Sequence, residues 1–185
     1  MPIFQAASKP NAEYHDWDPR YPEVVKSLLT EVAPFPPGVA LEHVGSTAIQ
    51  GCGGKGIIDL LALYPDGSLD ETKRWLLSLG LNRQGPEFSR PWPETRPMYL
   101  GSVPYLGRAF VTYIHVVRKT ADEVRRFRVF RDLLCGKPDL VAEYCALKRQ
   151  ILSIGVTDTD DYKVMKRPFM HKALGADHAL SDDDA

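Results

Sequence analysis

Apolar residues recur at helical spacing in five stretches of the chain, each bounded by proline or glycine. The first lies between Asp18 and Pro34, and the second runs from Leu69 to Leu79. The other three run from Thr120 to Gly136, from Pro138 to Gly155, and from Thr157 or Thr159 to Gly175. Apolar positions that repeat every three or four residues form one face of a helix. The pattern therefore predicts five amphipathic helices, three of them consecutive in the last third of the chain.

Four other stretches are rich in β-branched and aromatic residues and predict strands: Leu41–Val44, Ile57–Tyr64, Met98–Val103 and Ala109–Val117. The last two are separated by a short connection containing proline and glycine, which is typical of an antiparallel pair. Residues 82–97 contain four prolines and Trp92, which predicts a loop or an irregular flap rather than core structure. Segments of this kind often cover a functional site. Strands surrounded by helices predict an α/β fold, α+β in the looser sense, with a mixed sheet covered by helices.

Chain length and net charge limit the class of protein. A chain of 185 residues predicts one soluble domain, here residues 1–175, followed by a flexible acidic tail at 176–185. The 23 basic and 24 acidic residues give a net charge of -1, so neither nucleic acid nor a membrane is expected as a partner. No apolar run reaches the roughly 20 residues of a membrane span, and the start lacks a signal-peptide pattern. The cytoplasm is the expected location, and no oligomeric state is predicted.

The three cysteines form no C-x-x-C pair, which argues against a disulfide framework or a structural zinc site. Cys135 and Cys145 fall within apolar helical patterns and are expected to be buried. Cys52 lies in a glycine-rich loop and is the cysteine whose thiol is expected to be exposed.

That glycine-rich loop begins at Gly45-Ser46-Thr47 and joins the first two predicted strands. Its glycines and hydroxyls are typical of a loop whose backbone N–H groups face a phosphate, although a tight turn also uses glycine. Gly51, Gly53 and Gly56 match the dinucleotide fingerprint, but a strand follows where the fingerprint requires a helix. A Walker A loop is excluded because Gly56 follows Lys55 where Ser or Thr is required.

A Gly-Ser pair after one strand and an acid about a dozen residues later on the next strand resemble the nucleotidyltransferase fold. More specifically, the chain resembles the GrpB-like family, whose HIGST-V-PGL-AKP-IID segment stands here as His43–Thr47, Gly51, Lys55 and Ile57–Asp59. Further matching positions are Tyr14–Pro22, Tyr113–Val117, Phe130–Leu134, Glu143-Tyr144, Leu147-Lys148, Tyr162, Lys166 and Phe169. The loop departs from the family pattern, since Gln50, Cys52, Gly54 and Gly56 replace Pro, Leu, Ala and Pro.

The resemblance implies a nucleotide or another phosphate-containing small molecule as ligand. The phosphate-binding set would be His43, Gly45, Ser46, Thr47, Lys55, Arg131 and Lys148. The catalytic set would be Asp59, His115 and Lys166. Strand alternation lets only one of Glu42 and His43 face the site, and the family motif favours His43. His115 could instead be a hydrogen-bonded core histidine, and the helical cations could pair with surface acids.

A metal site, if present, is expected to hold one ion rather than two. Nucleotidyl transfer usually employs metal ions held by two or three carboxylates. Leu61 occupies the position that shares a strand face with Asp59, and the third strand offers Tyr113, His115 and Val117. Asp59 with His115 could hold one Mg²⁺ or Mn²⁺ together with waters and substrate phosphates.

Three functions follow as hypotheses. The first is a nucleotidyltransferase acting from a nucleoside triphosphate on an unidentified acceptor. The second is a non-catalytic module for a nucleotide or a coenzyme-A-like compound, and the resemblance adds that some relatives are fused to dephospho-coenzyme A kinase. The third is a protein interaction domain without a small ligand. Leu61 favours the second hypothesis, and the backbone entropy of a long glycine loop disfavours the third.

Overall fold

The computed structural model describes residues 2–85, 88, 92–156 and 159–175, with residues 159 and 160 described for their backbone only. The predicted acidic tail lies outside these ranges, and the single-domain boundary at residue 175 stays a prediction. Within the described ranges, each helix is too short or too polar to cross a membrane.

The elements follow the hydrophobic pattern closely. In the described ranges the α-helices are α1 (Tyr21–Glu31), α2 (Leu69–Ser78), α3 (Asp122–Cys135), α4 (Pro138–Ser153) and α5 (Thr159–Leu174). The strands are β1 (Ala40–Val44), β2 (Ile58–Tyr64), β3 (Asn82–Arg83), β4 (Met98–Tyr105) and β5 (Arg108–Arg118). The two-residue strand β3 was not predicted, because it falls inside the segment that its prolines mark as a loop.

The strands form one mixed sheet in the order β1-β2-β5-β4-β3. Strand β2 runs parallel to β5, and the other neighbouring strands are antiparallel. The predicted β4–β5 hairpin is confirmed and turns at Leu106 and Gly107, whose φ angles of 46° and 77° are both positive. The register sets Asp59 beside Tyr113 and opposite Val44, and it sets Leu61 beside His115.

Alternation along β2 divides the core between the two faces of the sheet. Ile58, Leu60 and Ala62 face α1 and α2, where they pack into the largest apolar cluster. Leu61 and Leu63 face the other way and pack with Val124 of α3. Asp59 shares that second face, so the acid lies on the side of the sheet that α3 covers.

Helices α4 and α5 add a further layer behind α3. Their apolar side chains form one cluster with α3 and with two residues of the glycine loop: Ile49, Cys52, Phe130, Leu134, Val141, Tyr144, Cys145, Phe169 and Leu174. This cluster packs the glycine loop against the helical layer. The expected fold, a nucleotidyltransferase-like mixed sheet covered by helices with a helical C-terminal third, is confirmed.

Two of the three cysteine predictions are wrong. Cys145 is buried as expected, but Cys52 is buried and Cys135 is exposed. Cys52 turns into the cluster between the loop and the helices, whereas Cys135 ends α3 at the surface. Glycine neighbours suggested exposure for Cys52, but the loop side chain packs inward because α4 lies directly beneath it.

Candidate functional site

A pocket of about 190 Å³ lies between the second sheet face and the helical layer. Asp59, Tyr113 and His115 form its floor, and residues of the glycine loop form one end. The opposite walls come from α3, α5 and the segment after β3, and they include Phe88, Trp92, Phe127, Phe130, Tyr162, Lys163, Lys166 and Met170. The predicted flap is thus confirmed for the described residues Phe88 and Trp92, which line the pocket.

Gly45 begins the loop in a conformation that requires glycine. Its φ of 71° and ψ of -172° lie in a region that L side chains rarely adopt. A Cβ at this position would also lie only 2.6 Å from Asp59 Oδ2. The missing side chain therefore lets the loop backbone pass directly over the Asp59 carboxylate.

Lys148 of α4 anchors the loop from below. Its ammonium donates to Ser46 Oγ at 3.1 Å and to the carbonyl of Gly53, and it lies 3.2 Å from Cys52 Sγ. The side chain is almost completely buried and stacks over the Tyr144 ring at 4.2 Å. Burial lowers the pKa of Lys148. We call Lys148 with Ser46, Cys52 and Gly53 the loop base.

Several loop N–H groups already have partners. Those of Ala48, Ile49, Cys52 and Gly53 donate to carbonyls within the loop, and that of Gly54 donates to His15. The prediction that the loop amides face an anion is therefore wrong for these five residues. Side chains, rather than these amides, are the donors that the loop presents.

The N-terminal arm, residues 2–17, fixes the loop from outside. His15 and Gly54 exchange two backbone hydrogen bonds of 2.7 and 2.9 Å. Trp17 Nε1 donates to the Thr47 carbonyl at 3.1 Å. A Cβ at Gly53 would lie 2.2 Å from Tyr14 Oη, so glycine permits the close approach of the arm.

Three lysines form one wall of the pocket beside the loop: Lys55, Lys163 and Lys166, here called the lysine wall. The ammonium groups of Lys166 and Lys55 lie 4.5 and 5.2 Å from the Tyr162 ring centroid. Lys163 Nζ lies 5.1 Å from the Trp92 ring. Lys163 is not among the residues predicted from the sequence, although its three-residue spacing from Lys166 places both on one helix face.

The charges of this wall act on Lys166. Desolvation by burial, followed by the charges of the nearby Lys55, Lys148 and Lys163, lowers the pKa of Lys166 to about 7. Asp59 acts in the opposite direction, but its effect is smaller than theirs. Positive charge therefore dominates at the loop end of the pocket.

Asp59 and His115 lie together on the pocket floor, with Asp59 Oδ1 3.4 Å from His115 Nε2. Trp92 and Phe127 flank the imidazole ring at 5.1 and 6.1 Å between ring centroids. His115 is buried, and its Nδ1 has no hydrogen-bond partner among the described residues. The parallel pairing of β2 with β5 brings this pair together, which the sequence alone did not fix.

Three predicted phosphate ligands lie outside the pocket lining: His43, Arg131 and Lys148, the last of which is engaged in the loop base. His43 pairs with Leu60, so it lies on the opposite sheet face from Asp59, and its Nε2 is 2.9 Å from Thr47 Oγ1. Burial lowers the pKa of His43 to about 4. Arg131 donates to the His43 carbonyl at 3.0 Å and to Asp132 at 2.8 Å. The preference for His43 over Glu42 as the residue facing the site is therefore wrong.

Glu42 shares the sheet face of Asp59, yet it does not replace His43 in the pocket. Arg128 of α3 donates from Nε to Glu42 Oε2 at 2.8 Å. Glu42 and Arg131 both take part in hydrogen bonds that join β1 to α3. The remaining predicted residues, Gly45, Ser46, Thr47, Lys55, Asp59, His115 and Lys166, line the pocket.

The donor set does not fit a divalent cation held by the protein. Mg²⁺ prefers six oxygen ligands, and Asp59 supplies the carboxylate on the floor while Leu61 is buried in the core. The pocket carboxylate of Glu123 is paired with Arg96. No group of three His, Cys, Asp or Glu residues with metal-site geometry occurs in the described parts of the chain.

The sheet order and the loop-bounded pocket define a nucleotidyltransferase-like fold. Comparison of the sequence with known families gives a more specific assignment. Residues 11–175 match the GrpB protein family, and the chain belongs to it.

Individual relatives agree with this assignment. The UPF0157 protein PA4798 of Pseudomonas aeruginosa is 31% identical over 160 residues, which cover 86% of this chain and 63% of that protein. The chain thus spans less than two thirds of that relative. The crystal structure of conserved protein GrpB from Enterococcus faecalis matches with a TM-score of 0.66 at 17% identity, covering 88% of this chain and 97% of that one.

A more distant solved structure shares the fold. The GLD-2/RNP-8 complex matches with a TM-score of 0.54 at 12% identity, covering 89% of this chain and 64% of that one. At identities this low, the two structural matches show the fold alone.

Proposed function

We propose that the pocket binds a nucleotide or another phosphate-containing small molecule, with its phosphate groups against the lysine wall and Ser46. The observation that carries this proposal is the convergence of Lys55, Lys163 and Lys166 on the loop end of a pocket whose other walls are largely aromatic. Ammonium groups and a hydroxyl are common phosphate donors.

Electrostatics support an anionic ligand. The acids that line the pocket besides Asp59 are engaged elsewhere, since Asp16 binds Arg149 at 2.9 Å and Glu123 binds Arg96. The cations around Lys166 outweigh Asp59 in their effect on its pKa. A bound phosphate would stabilise the protonated form of Lys166 and so offset the mutual repulsion of the lysine wall.

The aromatic walls support an organic group attached to that phosphate. Trp92, Phe127 and Tyr113 surround the floor near His115. Such surfaces favour planar or apolar groups, among them a nucleobase. A compound that carries both a phosphate and a planar ring would use both ends of the pocket.

Nucleotidyl transfer is the second candidate. An imidazole hydrogen-bonded to a carboxylate is an arrangement that suits a general base, and His115 with Asp59 has it. The base would take the proton of an acceptor hydroxyl. Leu61 at the second carboxylate position makes binding without transfer the better supported function.

Thermal stability in the presence of defined probes tests the binding proposal. ATP, ADP and inorganic pyrophosphate are added to the wild type, to Lys166→Met and to Lys172→Met, in EDTA and again in Mg²⁺. Lys172 is a matched control because it is exposed on the same helix and pairs with Glu143. A probe at 100 times its Kd should stabilise the wild type by about 2.7 kcal/mol.

We expect stabilisation in EDTA for the wild type and Lys172→Met, and a much smaller shift for Lys166→Met. Absence of any shift, or an equal shift in Lys166→Met, contradicts the proposal. For transfer, the measurement is pyrophosphate release from each nucleoside triphosphate. Release that persists unchanged in Asp59→Asn would rule out the catalytic role of Asp59.

A further inference from the structure

The loop base brings an amine and a thiol into contact. Lys148 Nζ lies 3.2 Å from Cys52 Sγ, and the same nitrogen donates to Ser46 Oγ. Both side chains are buried, yet Cys52 is part of the pocket wall. A small oxidant in the pocket therefore lies next to the residue whose sulfur has a nitrogen nucleophile as its neighbour.

We propose that peroxide joins Cys52 to Lys148 through a covalent S–N bond, which makes the loop base an oxidation-sensitive element beside the pocket. The oxidant is hydrogen peroxide or a small organic peroxide. Formation of this bond does not depend on the proposed function of the pocket.

The chemistry balances with one peroxide. The Cys52 sulfur attacks the O–O bond, which breaks, and the thiol becomes a sulfenic acid with release of water. The lone pair of unprotonated Lys148 Nζ then attacks the sulfur and expels hydroxide, which takes a proton from the nitrogen and leaves as a second water. The sulfur is oxidised by two electrons, the peroxide is reduced, and a thiol reductant reverses the reaction.

Burial affects the two partners of this step differently. Burial lowers the pKa of Lys148, which increases the fraction of neutral, nucleophilic amine. Burial is the larger effect on Cys52 and raises the pKa of its thiol, while the adjacent ammonium and the Ser46 hydroxyl act in the opposite direction. The flexible lysine stem lets Nζ close the remaining distance while the loop backbone stays in place.

The other cysteines provide internal comparisons. Cys145 lies in the same buried cluster and is the residue that could instead form a disulfide with Cys52. Cys135 is exposed, and its thiol contacts the Ala48 carbonyl at 3.9 Å. Only the Cys52–Lys148 product is a link between a cysteine and a lysine, so peptide mapping distinguishes the three residues.

The bond would change the charge of the pocket. Lys148 would lose its ammonium group and its donation to Ser46, which removes one positive charge beside the lysine wall. If the proposed phosphate binding holds, oxidised protein should bind pyrophosphate several-fold more weakly than reduced protein. This consequence alone rests on the proposed function.

Mass spectrometry tests the proposal on the full chain. The wild type, Cys52→Ser, Cys145→Ser and Cys135→Ser are treated with hydrogen peroxide, quenched with catalase and measured intact and after trypsin digestion. We expect a loss of two hydrogens and a linked peptide pair containing Cys52 and Lys148. The link should persist in Cys145→Ser and Cys135→Ser, be absent in Cys52→Ser, and be reversed by dithiothreitol.

Other products would overturn the proposal. A two-hydrogen loss that disappears in Cys145→Ser identifies a disulfide, oxygen addition confined to Cys135 identifies simple surface oxidation, and an unchanged mass shows that the pair does not react. If the link forms but pyrophosphate affinity stays the same, the charge effect is overturned and the link stands. If pyrophosphate fails to bind the reduced protein, the proposed function fails, and the mass data still decide the link.

Discussion

Two lysines from neighbouring helices approach the glycine loop and meet different surroundings. Lys148 of α4 donates to the carbonyl of Gly53 and the hydroxyl of Ser46 within the loop base. Lys166 of α5 lies on the pocket wall against Tyr162, where its charged neighbours are mostly other lysines. The first ammonium holds the loop in place, and the second presents charge to the pocket. The set of partners, rather than the residue type, decides which role a lysine takes.

The largest expected effect comes from a substitution at Gly45, where the loop backbone passes over Asp59. Gly45→Ala places a Cβ 2.6 Å from Asp59 Oδ2 at a backbone conformation that alanine disfavours. We expect a loss of about 3 kcal/mol in the free energy of unfolding, measured by urea denaturation. Gly67→Ala is the control, because Gly67 also has a positive φ, of 83°, but no atom lies within 4 Å of its ideal Cβ. A loss of about 1 kcal/mol is expected there, and equal losses in the two variants would contradict the close approach.

Removing the buried ammonium should have the next largest effect. Lys148→Met leaves the Gly53 carbonyl and the Ser46 hydroxyl without their donor, which should lower the free energy of unfolding by about 2 kcal/mol. Lys172→Met is the surface control and should stay within about 0.5 kcal/mol of the wild type. If the urea midpoint of Lys148→Met equals that of the wild type, Lys148 does not hold the loop.

Lys166 should make stability depend on pH. Its pKa of about 7 lies below the ordinary lysine value of about 10.4, so between these values the unfolded chain binds more protons at this residue than the folded protein. The contribution of Lys166 to the free energy of unfolding therefore rises with pH across this window and is least favourable below it. We expect the wild type to gain stability relative to Lys166→Met between about pH 7 and pH 9 in parallel urea titrations. Parallel curves for the two proteins would show that the Lys166 pKa is close to that of an ordinary lysine.

The smallest expected effect concerns Asp59, the acid on the pocket floor. Asp59→Asn removes a negative charge that repels a phosphate, so pyrophosphate binding in EDTA should become tighter by up to about 1 kcal/mol. Isothermal titration calorimetry of both proteins measures this change. Because EDTA removes divalent cations, loss of binding in the variant would instead indicate that the Asp59 carboxylate itself helps to position the groups that bind pyrophosphate.

The fold was accessible from the sequence because its elements are strongly periodic. The α2 helix begins at Leu69 as predicted, and the β4–β5 hairpin lies where two β-branched runs meet a short glycine turn. The two-residue strand β3 escaped prediction, because pairing with β4 rather than local composition creates it. The sequence pattern therefore predicts the elements that carry a periodicity of their own, and it misses a strand that depends on its pairing partner.

The site was only partly accessible, because its geometry depends on pairings between distant segments. The order of the strands brings His115 beside Asp59, and the β1–β2 register turns His43 away from them. Cys52 appeared exposed from its glycine neighbours and is buried because α4 lies beneath it. Strand register and helix placement are tertiary properties, which one sequence without aligned relatives does not reveal.

The hydrogen bonds between His15 and Gly54 couple two distant segments into one cooperative unit. An arm that detaches leaves the Gly54 amide and carbonyl without these partners, so arm docking and loop order share one equilibrium. By thermodynamic linkage, a ligand that immobilises the loop also retains the arm. The rate at which a protease cleaves the arm within residues 2–13 is therefore a measure of pocket occupancy, read from a part of the chain outside the pocket lining.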